Sequence, residues 1–247
     1  MVERREGQAI VFGASGGIGA ALCRALARRH PEWRIHAGAR QIRASGGPAD
    51  QPGVEWFPFD LTDESSIATA IARAAQAGPL DLVIVATGVL HSDRFGPEKS
   101  ARALDSRTMA EVFALNAIGP AIIAKHALPA MRREGRCAVA ALGARVGSIS
   151  DNRLGGWHSY RASKAALAML VRNFAIELAR RNPEAIAVCL HPGTVDTPLS
   201  KPFQGNVPEG RLFTADTSAQ RMLTVLDTLT AADSGKHFAW DGTEIPA

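Results

Sequence analysis

Short apolar runs alternate along the chain with stretches in which apolar residues recur every three or four positions. The runs predict buried strands, as in Leu80–Ala86, where the letters LDLVIVA are mostly apolar and β-branched. Seven such runs lie at Gln8–Phe12, Arg34–Ala39, Val54–Phe59, Leu80–Ala86, Arg136–Leu142, Ala185–Leu190 and Lys236–Trp240. The periodic stretches predict helices at Gly17–Arg29, Asp63–Ala77, Asp105–Met131, Trp157–Arg181 and Asp216–Ala231.

Strands that alternate with helices predict the layered arrangement of an α/β protein. Right-handed crossovers between parallel strands would give a doubly wound parallel sheet of about seven strands with helices on both faces. No linker or change of composition divides residues 1–247, so the sequence predicts a single domain. Asp63 is expected to cap the second helix, and the Asp105–Met131 helix is expected to be interrupted near Gly119-Pro120.

Composition and charge exclude several classes of protein. Hydrophobic residues make up 46% and charged residues 21%, as in a globular domain. The net charge of +4 comes from scattered arginines without interleaved aromatic residues, so no nucleic-acid partner is predicted. No apolar stretch approaches the roughly 20 residues that span a bilayer, so no membrane partner is predicted. Widely spaced cysteines without a CxxC pair predict a reducing, cytoplasmic setting and no metal site: Cys23, Cys137 and Cys189.

A glycine-rich turn follows the first predicted strand and opens the first helix. Its pattern is G-x-x-x-G-x-G, in which the glycines tighten the turn and let backbone N–H groups approach a pyrophosphate at the helix N-terminus. A P-loop is excluded because no Gly-Lys-Ser/Thr follows. The sequence therefore predicts a dinucleotide site of Rossmann type that includes Gly13, Ser15, Gly16, Gly17, Ile18 and Gly19.

The end of the second predicted strand bears on the choice of nucleotide. Sites for NAD usually carry a carboxylate here for the ribose 2′-hydroxyl, whereas this strand ends in Arg40, with Arg43 close behind. A guanidinium suits a 2′-phosphate, so NADP(H) is predicted over NAD(H). The alternative interpretation is that Arg40 merely ends the strand in solvent.

The only tyrosine of the chain, Tyr160, lies four residues before Lys164 on a predicted helix. This spacing puts both side chains on one helix face. A free phenol has a pKa of about 10, and a neighbouring ammonium is expected to lower it toward the range of a useful proton donor. The pair therefore predicts acid–base chemistry on a carbonyl or alcohol.

With these two motifs, nearly the whole chain resembles a short-chain dehydrogenase/reductase. The resemblance implies a proton-relay role for Asn116 and a ribose contact for Lys164. The segment Val85–Gly88 stands where the family carries Asn-Asn-Ala-Gly, although the asparagines are absent. Further cofactor contacts implied by the resemblance are Asp60, Leu61, Ala86, Thr87, Gly88, Tyr160, Pro192, Gly193 and Val195.

Two stretches, Arg145–Asn152 and Trp240–Gly242, are similar to the bacterial C-factor-like and insect sniffer-like carbonyl reductases. This resemblance implies an NADP(H)-dependent enzyme that interconverts a carbonyl and an alcohol. It also implies a homodimer or homotetramer that assembles through the long helices at Asp105–Met131 and Trp157–Arg181.

The pattern of the family is broken where its catalytic serine normally follows the fifth strand. The position three residues before Gly147 is Ala144, which has no hydroxyl, and Ser148 comes just after the glycine. Either Ser148 points into the site and contacts the substrate, or the hydroxyl is missing and catalysis is impaired. The second possibility supports an alternative function, a nucleotide-binding signalling or regulatory protein with weak or no turnover.

The substrate walls are expected among small and apolar residues near the predicted site, at Val89–Asp93 and Asn152–Gly156. The segment 197–215, called here the lid segment, contains the stretch Pro198–Gly210, which is rich in proline and glycine and predicts no regular element. A loop of this kind beside a site can close over a small-molecule substrate. It can equally be an inert surface loop.

Overall fold

A parallel seven-stranded sheet forms the centre of the fold in the computed structural model, which describes residues 6–42 and 53–247. Its strands are β1 (Gln8–Phe12), β2 (Arg34–Ala39), β3 (Val54–Pro58), β4 (Leu82–Val85), β5 (Ala138–Leu142), β6 (Ile186–His191) and β9 (His237–Ala239). They lie in the order β3-β2-β1-β4-β5-β6-β9. Each predicted run thus contributes one strand, while Arg43 lies outside the described residues.

Helices cover both faces of the sheet, as predicted. They are α1 (Gly17–Arg29), α2 (Glu64–Ala75), α3 (Ser106–Phe113), α4 (Gly119–Ala130), α5 (His158–Ala179) and α6 (Ala215–Thr228). One apolar layer packs α2, α4 and α5 on one face of the sheet, and a second packs α1 and α6 on the other. The predicted cap of α2 is confirmed, because the Asp63 side chain accepts a hydrogen bond from the Ser65 backbone at 2.9 Å.

The carboxyl ends of β1 and β4 lie side by side at the point where the strand order reverses. The backbone N–H of Ala86, just after β4, donates to Phe12 O of β1 at 2.8 Å. From this point the chain crosses to opposite faces of the sheet, which leaves a crevice between the loops. The glycine turn after β1 and the segment after β4 therefore meet at one ligand-binding edge.

The regular α-helix is interrupted close to Gly119-Pro120, as predicted, but the chain does not leave the helix there. The helix runs on through a wider π-helical turn at Ala114–Ile118, and Pro120 lies in the first turn of α4, where its missing N–H costs little. A π-turn re-aims side chains and is frequent at functional sites. Here it carries Asn116, which is completely buried.

The continuous helix Ser106–Ala130 is the one helix among the described residues that is long and apolar enough to cross a membrane. Half of its apolar window is buried within the fold. Ile123 and Ala127, for example, belong to the apolar layer between α4 and the sheet. Packing in the core therefore accounts for a large part of its apolar character.

The lid segment is more ordered than its composition predicts. Lys201–Asn206 forms a short 3-10 helix, so the expectation of no regular element within Pro198–Gly210 is wrong. Outside that stretch, β7 (Thr194–Val195), just before the lid segment, pairs in parallel with β8 (Leu212–Phe213) near its end. This pairing of residues about 18 apart brings the two ends of the segment together.

Candidate active site

The glycine turn is tight because three backbone segments converge on it. The N–H groups of Gly13 and Ala14 donate to Gly38 O at 3.0 and 2.9 Å. Gly13 has φ +89°, and a Cβ there would lie 2.9 Å from the Ala86 carbonyl. Only glycine meets both conditions. A Cβ on Gly19 would overlap Gly13 O, so the turn and the start of α1 pack in direct contact.

A groove of about 770 Å³ extends from this turn along the carboxyl edge of the sheet. This volume is within the range of sites for cofactor-sized ligands. The buried Thr87 Oγ1 has no hydrogen-bond partner among the residues that the structure describes, so a polar group remains available beside the groove. The predicted cofactor residues that line it are Gly13, Ser15, Gly16, Arg40, Asp60, Leu61, Ala86, Thr87 and Gly88.

Arg40 and Asp60 lie together at one end of the groove. Thr62 donates from its backbone N–H and its hydroxyl to Asp60 Oδ1 at 2.8 and 2.7 Å. These bonds, and more weakly the charge of Arg40, hold the pKa of Asp60 below its usual value. Asp60 is therefore ionised, and one of its oxygens is occupied by the bonds from Thr62. Arg40 is exposed and lines the groove, as does Arg94.

The opposite end of the site is closed by the segment that follows β6. A Cβ on Gly17 would lie 3.0 Å from Thr197 Cγ2, which shows that this segment meets the start of α1. Gly193 has φ +78°, and a Cβ there would lie 2.7 Å from the Phe213 ring. The Ser218 hydroxyl donates to Pro192 O at 2.8 Å, and Val195 is buried. The predicted Pro-Gly segment is thus fixed beside the glycine turn and Ile18.

Tyr160 and Lys164 lie on the same face of α5, as their spacing predicts. The ammonium Nζ of Lys164 lies 5.9 Å from the centroid of the Tyr160 ring and donates to Leu142 O at 2.7 Å. A Cβ built on Gly88 would lie 3.6 Å from that Nζ and 3.3 Å from Asn116 Oδ1. Lys164 and Asn116 therefore approach the groove beside Gly88, and Tyr160 lies next to Lys164.

Asn116 connects the loop after β4 to helix α5 through hydrogen bonds. Its amide oxygen accepts from Val89 N at 2.8 Å, and its Nδ2 donates to Val89 O at 2.9 Å and to Ser163 Oγ at 3.1 Å. The Ser163 hydroxyl donates in turn to Tyr160 O at 2.8 Å. Ser163 was missed in the sequence, although its place inside the Tyr-Arg-Ala-Ser-Lys motif was a signal that could have identified it.

The glycine turn and the group of Tyr160, Lys164 and Asn116 are consistent with a comparison against known protein families. The family model for short chain dehydrogenases matches residues 8–207. The chain belongs to the short-chain dehydrogenase family. The fold, the Rossmann-type sheet and the general activity of an oxidoreductase are thereby confirmed.

Individual relatives of this dehydrogenase include both a signal protein and enzymes. It is 36% identical to the C-signal of Myxococcus xanthus over 72% of this chain and 98% of that protein. It is 31% identical to the 1-hydroxy-2-glutathionyl-2-methyl-3-butene dehydrogenase of Rhodococcus sp., over 95% and 96%. The structure of an NADPH-bound carbonyl reductase from chicken fatty liver superposes with a TM-score of 0.84 and 27% identity, over 99% and 96%.

The pKa of Tyr160 differs from the sequence-based expectation. Burial raises the pKa of Tyr160 to about 12 and lowers the pKa of Lys164 to about 8. Both charged forms are penalised by loss of water, and the Lys164 ammonium is bonded to Leu142 O rather than to the phenol. In the dehydrogenase without its cofactor, Lys164 therefore does not produce the lowered phenol pKa that we expected.

Ser148 does not lie with Tyr160 and Lys164. It borders a separate depression with His158, Arg161 and Ala165, on the other face of α5, and its hydroxyl accepts from Asp151 N at 3.1 Å. Ala144, at the position of the family serine, is buried. Of the two possibilities left open by the sequence, the structure favours the missing hydroxyl.

The residue that caps the N-terminus of α5 was also missed in the sequence, because it belongs to a distant loop. Trp157 provides no side-chain cap to α5. Instead, the buried carboxylate of Glu98 accepts hydrogen bonds from the backbone and the hydroxyl of Ser159, and Glu98 O accepts from Trp157 N. The first turn of α5, which carries Tyr160, is thus fixed by a residue about 60 positions earlier.

Proposed function

We propose that this dehydrogenase is an NADP(H)-dependent reductase of small aldehydes or ketones. The observation that supports the proposal is the approach of Lys164 and Asn116 to Gly88 of the groove, with Tyr160 beside Lys164 and with Arg40 also on the groove lining. The chicken structure, at 27% identity, is that of a carbonyl reductase with NADPH bound.

The residues of the chain have separate roles in this reaction. The nicotinamide, when bound, supplies a hydride to the carbonyl carbon. Tyr160 donates its hydroxyl proton to the carbonyl oxygen, so that the product is an alcohol and a phenolate remains on the enzyme. Lys164 provides a positive charge close to that phenolate and, by family resemblance, contacts the nicotinamide ribose. Asn116 and Ser163 hold the helix and the loop that carry these groups.

NADPH oxidation over a panel of aldehydes and ketones tests the proposal. Substituting Tyr160→Phe removes the proton donor while it keeps the ring, and kcat should fall by about 10²–10⁴-fold. Far-UV circular dichroism should stay unchanged, as a control for folding. A variant that retains the full rate would exclude Tyr160 as the proton donor.

The preference for NADP(H) is proposed from Arg40. A charged hydrogen bond to the 2′-phosphate stabilises binding by about 1.5–3 kcal/mol, so Arg40→Ala should lower kcat/KM for NADPH by about 10- to 100-fold. The value for NADH should change little. The matched control is Arg28→Ala, an exposed arginine at the far end of α1. Equal losses with both cofactors would contradict the assignment.

A second candidate function is favoured by Ala144 and by the similarity to C-signal. A site that lacks one hydroxyl donor can retain cofactor binding while its turnover is weak. The chain would then act as a nucleotide-binding signalling or regulatory protein. NADPH binding without oxidation across the whole carbonyl panel would support this candidate over the first.

A further inference from the structure

The residue before the catalytic helix has an unusual backbone conformation. Trp157 has φ +51°, the only positive value for a residue other than glycine among those described, and it follows Gly155 and Gly156 at φ +62° and +64°. A bulky residue in the left-handed region is strained and is retained where the surroundings hold it. Here the Arg161 Nε donates to Gly155 O and Gly156 O, and Trp157 N donates to Glu98 O.

This conformation places the indole of Trp157 beside the proton donor. The ring centroids of Trp157 and Tyr160 are 6.3 Å apart with the planes at 74°. On its other side, Trp157 contacts Phe203 of the lid segment at 5.0 Å and 59°. Phe203 in turn meets His91 edge to face at 5.6 Å. Four rings from three distant parts of the chain thus form a continuous row that starts at Tyr160.

The row also attaches the lid segment to the cofactor groove. The His91 Nε2 lies 3.3 Å from Pro198 O and 3.2 Å from Leu199 O, so this nitrogen carries the proton and donates to the backbone just before the 3-10 helix. His91 itself lines the groove. Phe203, on that helix, is consequently held between His91 and Trp157.

We propose that Trp157 and Phe203 are specificity-determining residues that select carbonyl compounds with a planar, conjugated ring next to the carbonyl. The proposal rests on the proposed reductase function. An aromatic ring on the substrate can extend the row by edge-to-face or offset contacts with both side chains, which adds to the free energy of simple area burial. A saturated ring of the same outline fills the same volume without these contacts.

The test compares benzaldehyde with cyclohexanecarbaldehyde, two aldehydes with six-membered rings of different planarity. The ratio of their kcat/KM values is measured with NADPH for the wild type, Phe203→Leu and Trp157→Leu, so that the intrinsic reactivity of each aldehyde cancels between variants. Each substitution should reduce the preference for benzaldehyde about 3- to 10-fold. The control Trp33→Leu removes an indole that stacks on His30 away from the groove and should leave the ratio unchanged.

A binding measurement tests the aromatic row separately from the reductase function. The affinities of benzamide and cyclohexanecarboxamide, which are not reduced, are measured by calorimetry on the NADPH-loaded protein. An unchanged ratio of kcat/KM in both variants, with turnover intact, would overturn the aromatic row and leave the reductase function standing. If the wild type turns over neither aldehyde, the reductase function fails. In that case, a preference for benzamide that is lost in Phe203→Leu still supports the row, and no such preference overturns it.

Discussion

Tyr160 is the only tyrosine of the chain, so its ionisation can be followed directly by the absorbance of tyrosinate at 295 nm. Burial raises its pKa from 10.0 to about 12. A raised pKa means that the phenol stays protonated at pH values at which a free tyrosine has ionised. The cofactor-free protein should therefore show almost no tyrosinate at pH 10.5, where a free phenol is mostly ionised.

Binding of NADP⁺ should change this titration. The positive charge of the oxidised nicotinamide favours the phenolate, so the midpoint should move to lower pH. Far-UV circular dichroism must show that the protein remains folded throughout, because unfolding returns the phenol to its ordinary pKa. A midpoint near 10 in the folded, cofactor-free protein would contradict the burial of the hydroxyl.

A second test at the scale of single residues concerns the hydroxyl that is missing at Ala144. Ala144→Ser installs a hydroxyl at the position where the family carries its catalytic serine. Removing one donor of this kind from other enzymes costs about 10²–10³ in kcat, so adding it should raise kcat at least about 10-fold.

Ser148→Ala is the matched control for that substitution. Ser148 faces the depression on the other side of α5, and its hydroxyl contacts only the local backbone of Asp151 in the bonds observed. The rate of NADPH oxidation should therefore be unchanged. A large loss of rate in Ser148→Ala, with no gain in Ala144→Ser, would restore Ser148 as the catalytic hydroxyl.

At the level of elements, the amino ends of the strands are held together by a buried carboxylate. Asp81, at the start of the β4 segment, accepts from Gln8 N at 2.9 Å and from Arg132 Nε at 2.7 Å. Asp81 is 7% exposed, and the Arg132 side chain, just after α4, is 23% exposed. One side chain thus connects β1, β4 and the end of α4.

Asp81→Ala should lower the free energy of unfolding by about 2–4 kcal/mol, because it leaves an arginine and a backbone N–H without their acceptor. Urea denaturation with an unchanged m-value measures the effect. The control Glu111→Ala removes the partly exposed partner of the exposed Arg94, a surface pair expected to stabilise by less than about 1 kcal/mol. Equal effects of the two substitutions would show that burial of Asp81 contributes nothing.

At the level of the whole molecule, the outer surface of the helix layer carries large apolar side chains. Met169 and Ile176, seven residues apart on α5, are 63% and 43% exposed, and Ile118 in the neighbouring π-turn is 55% exposed. Exposed apolar clusters commonly mark contacts between proteins. They support the proposed assembly through the long helices, which follows from the family resemblance.

Met169→Asp should convert such a homo-oligomer into a monomer, because a carboxylate at an apolar contact must lose its water without a partner. Light scattering coupled to size-exclusion chromatography measures the mass against the 26.1 kDa of one chain. Leu154→Asp, at a loop position that is 90% exposed, is the control, because it also replaces one apolar side chain by one negative charge. A wild-type mass of one chain would exclude the assembly.

The elements of the sheet could be predicted from the sequence because each is encoded locally. Buried parallel strands require continuous apolar runs, and these gave all seven strands of the main sheet within a few residues. The pair β7 and β8 could not be found in this way, since each strand has two residues and exists only by pairing with the other. The π-turn could not be predicted either. Gly119-Pro120 marks a place where the regular helix changes, but the proline is accommodated in the first turn of α4, and the irregular turn itself lies just before it.

The sequence by itself determined the glycine turn and the shared face of Tyr160 and Lys164, because backbone conformation and helical spacing fix both over a few residues. Only the tertiary structure decided the face to which Ser148 belongs, the raised pKa of Tyr160 and the ring row from His91 through Phe203 and Trp157. The ring row depends on contacts between segments about 40 to 110 residues apart, the raised pKa depends on burial, and the position of Ser148 depends on how the segment after β5 packs against α5. The packing of the whole chain sets them, and no local pattern encodes them.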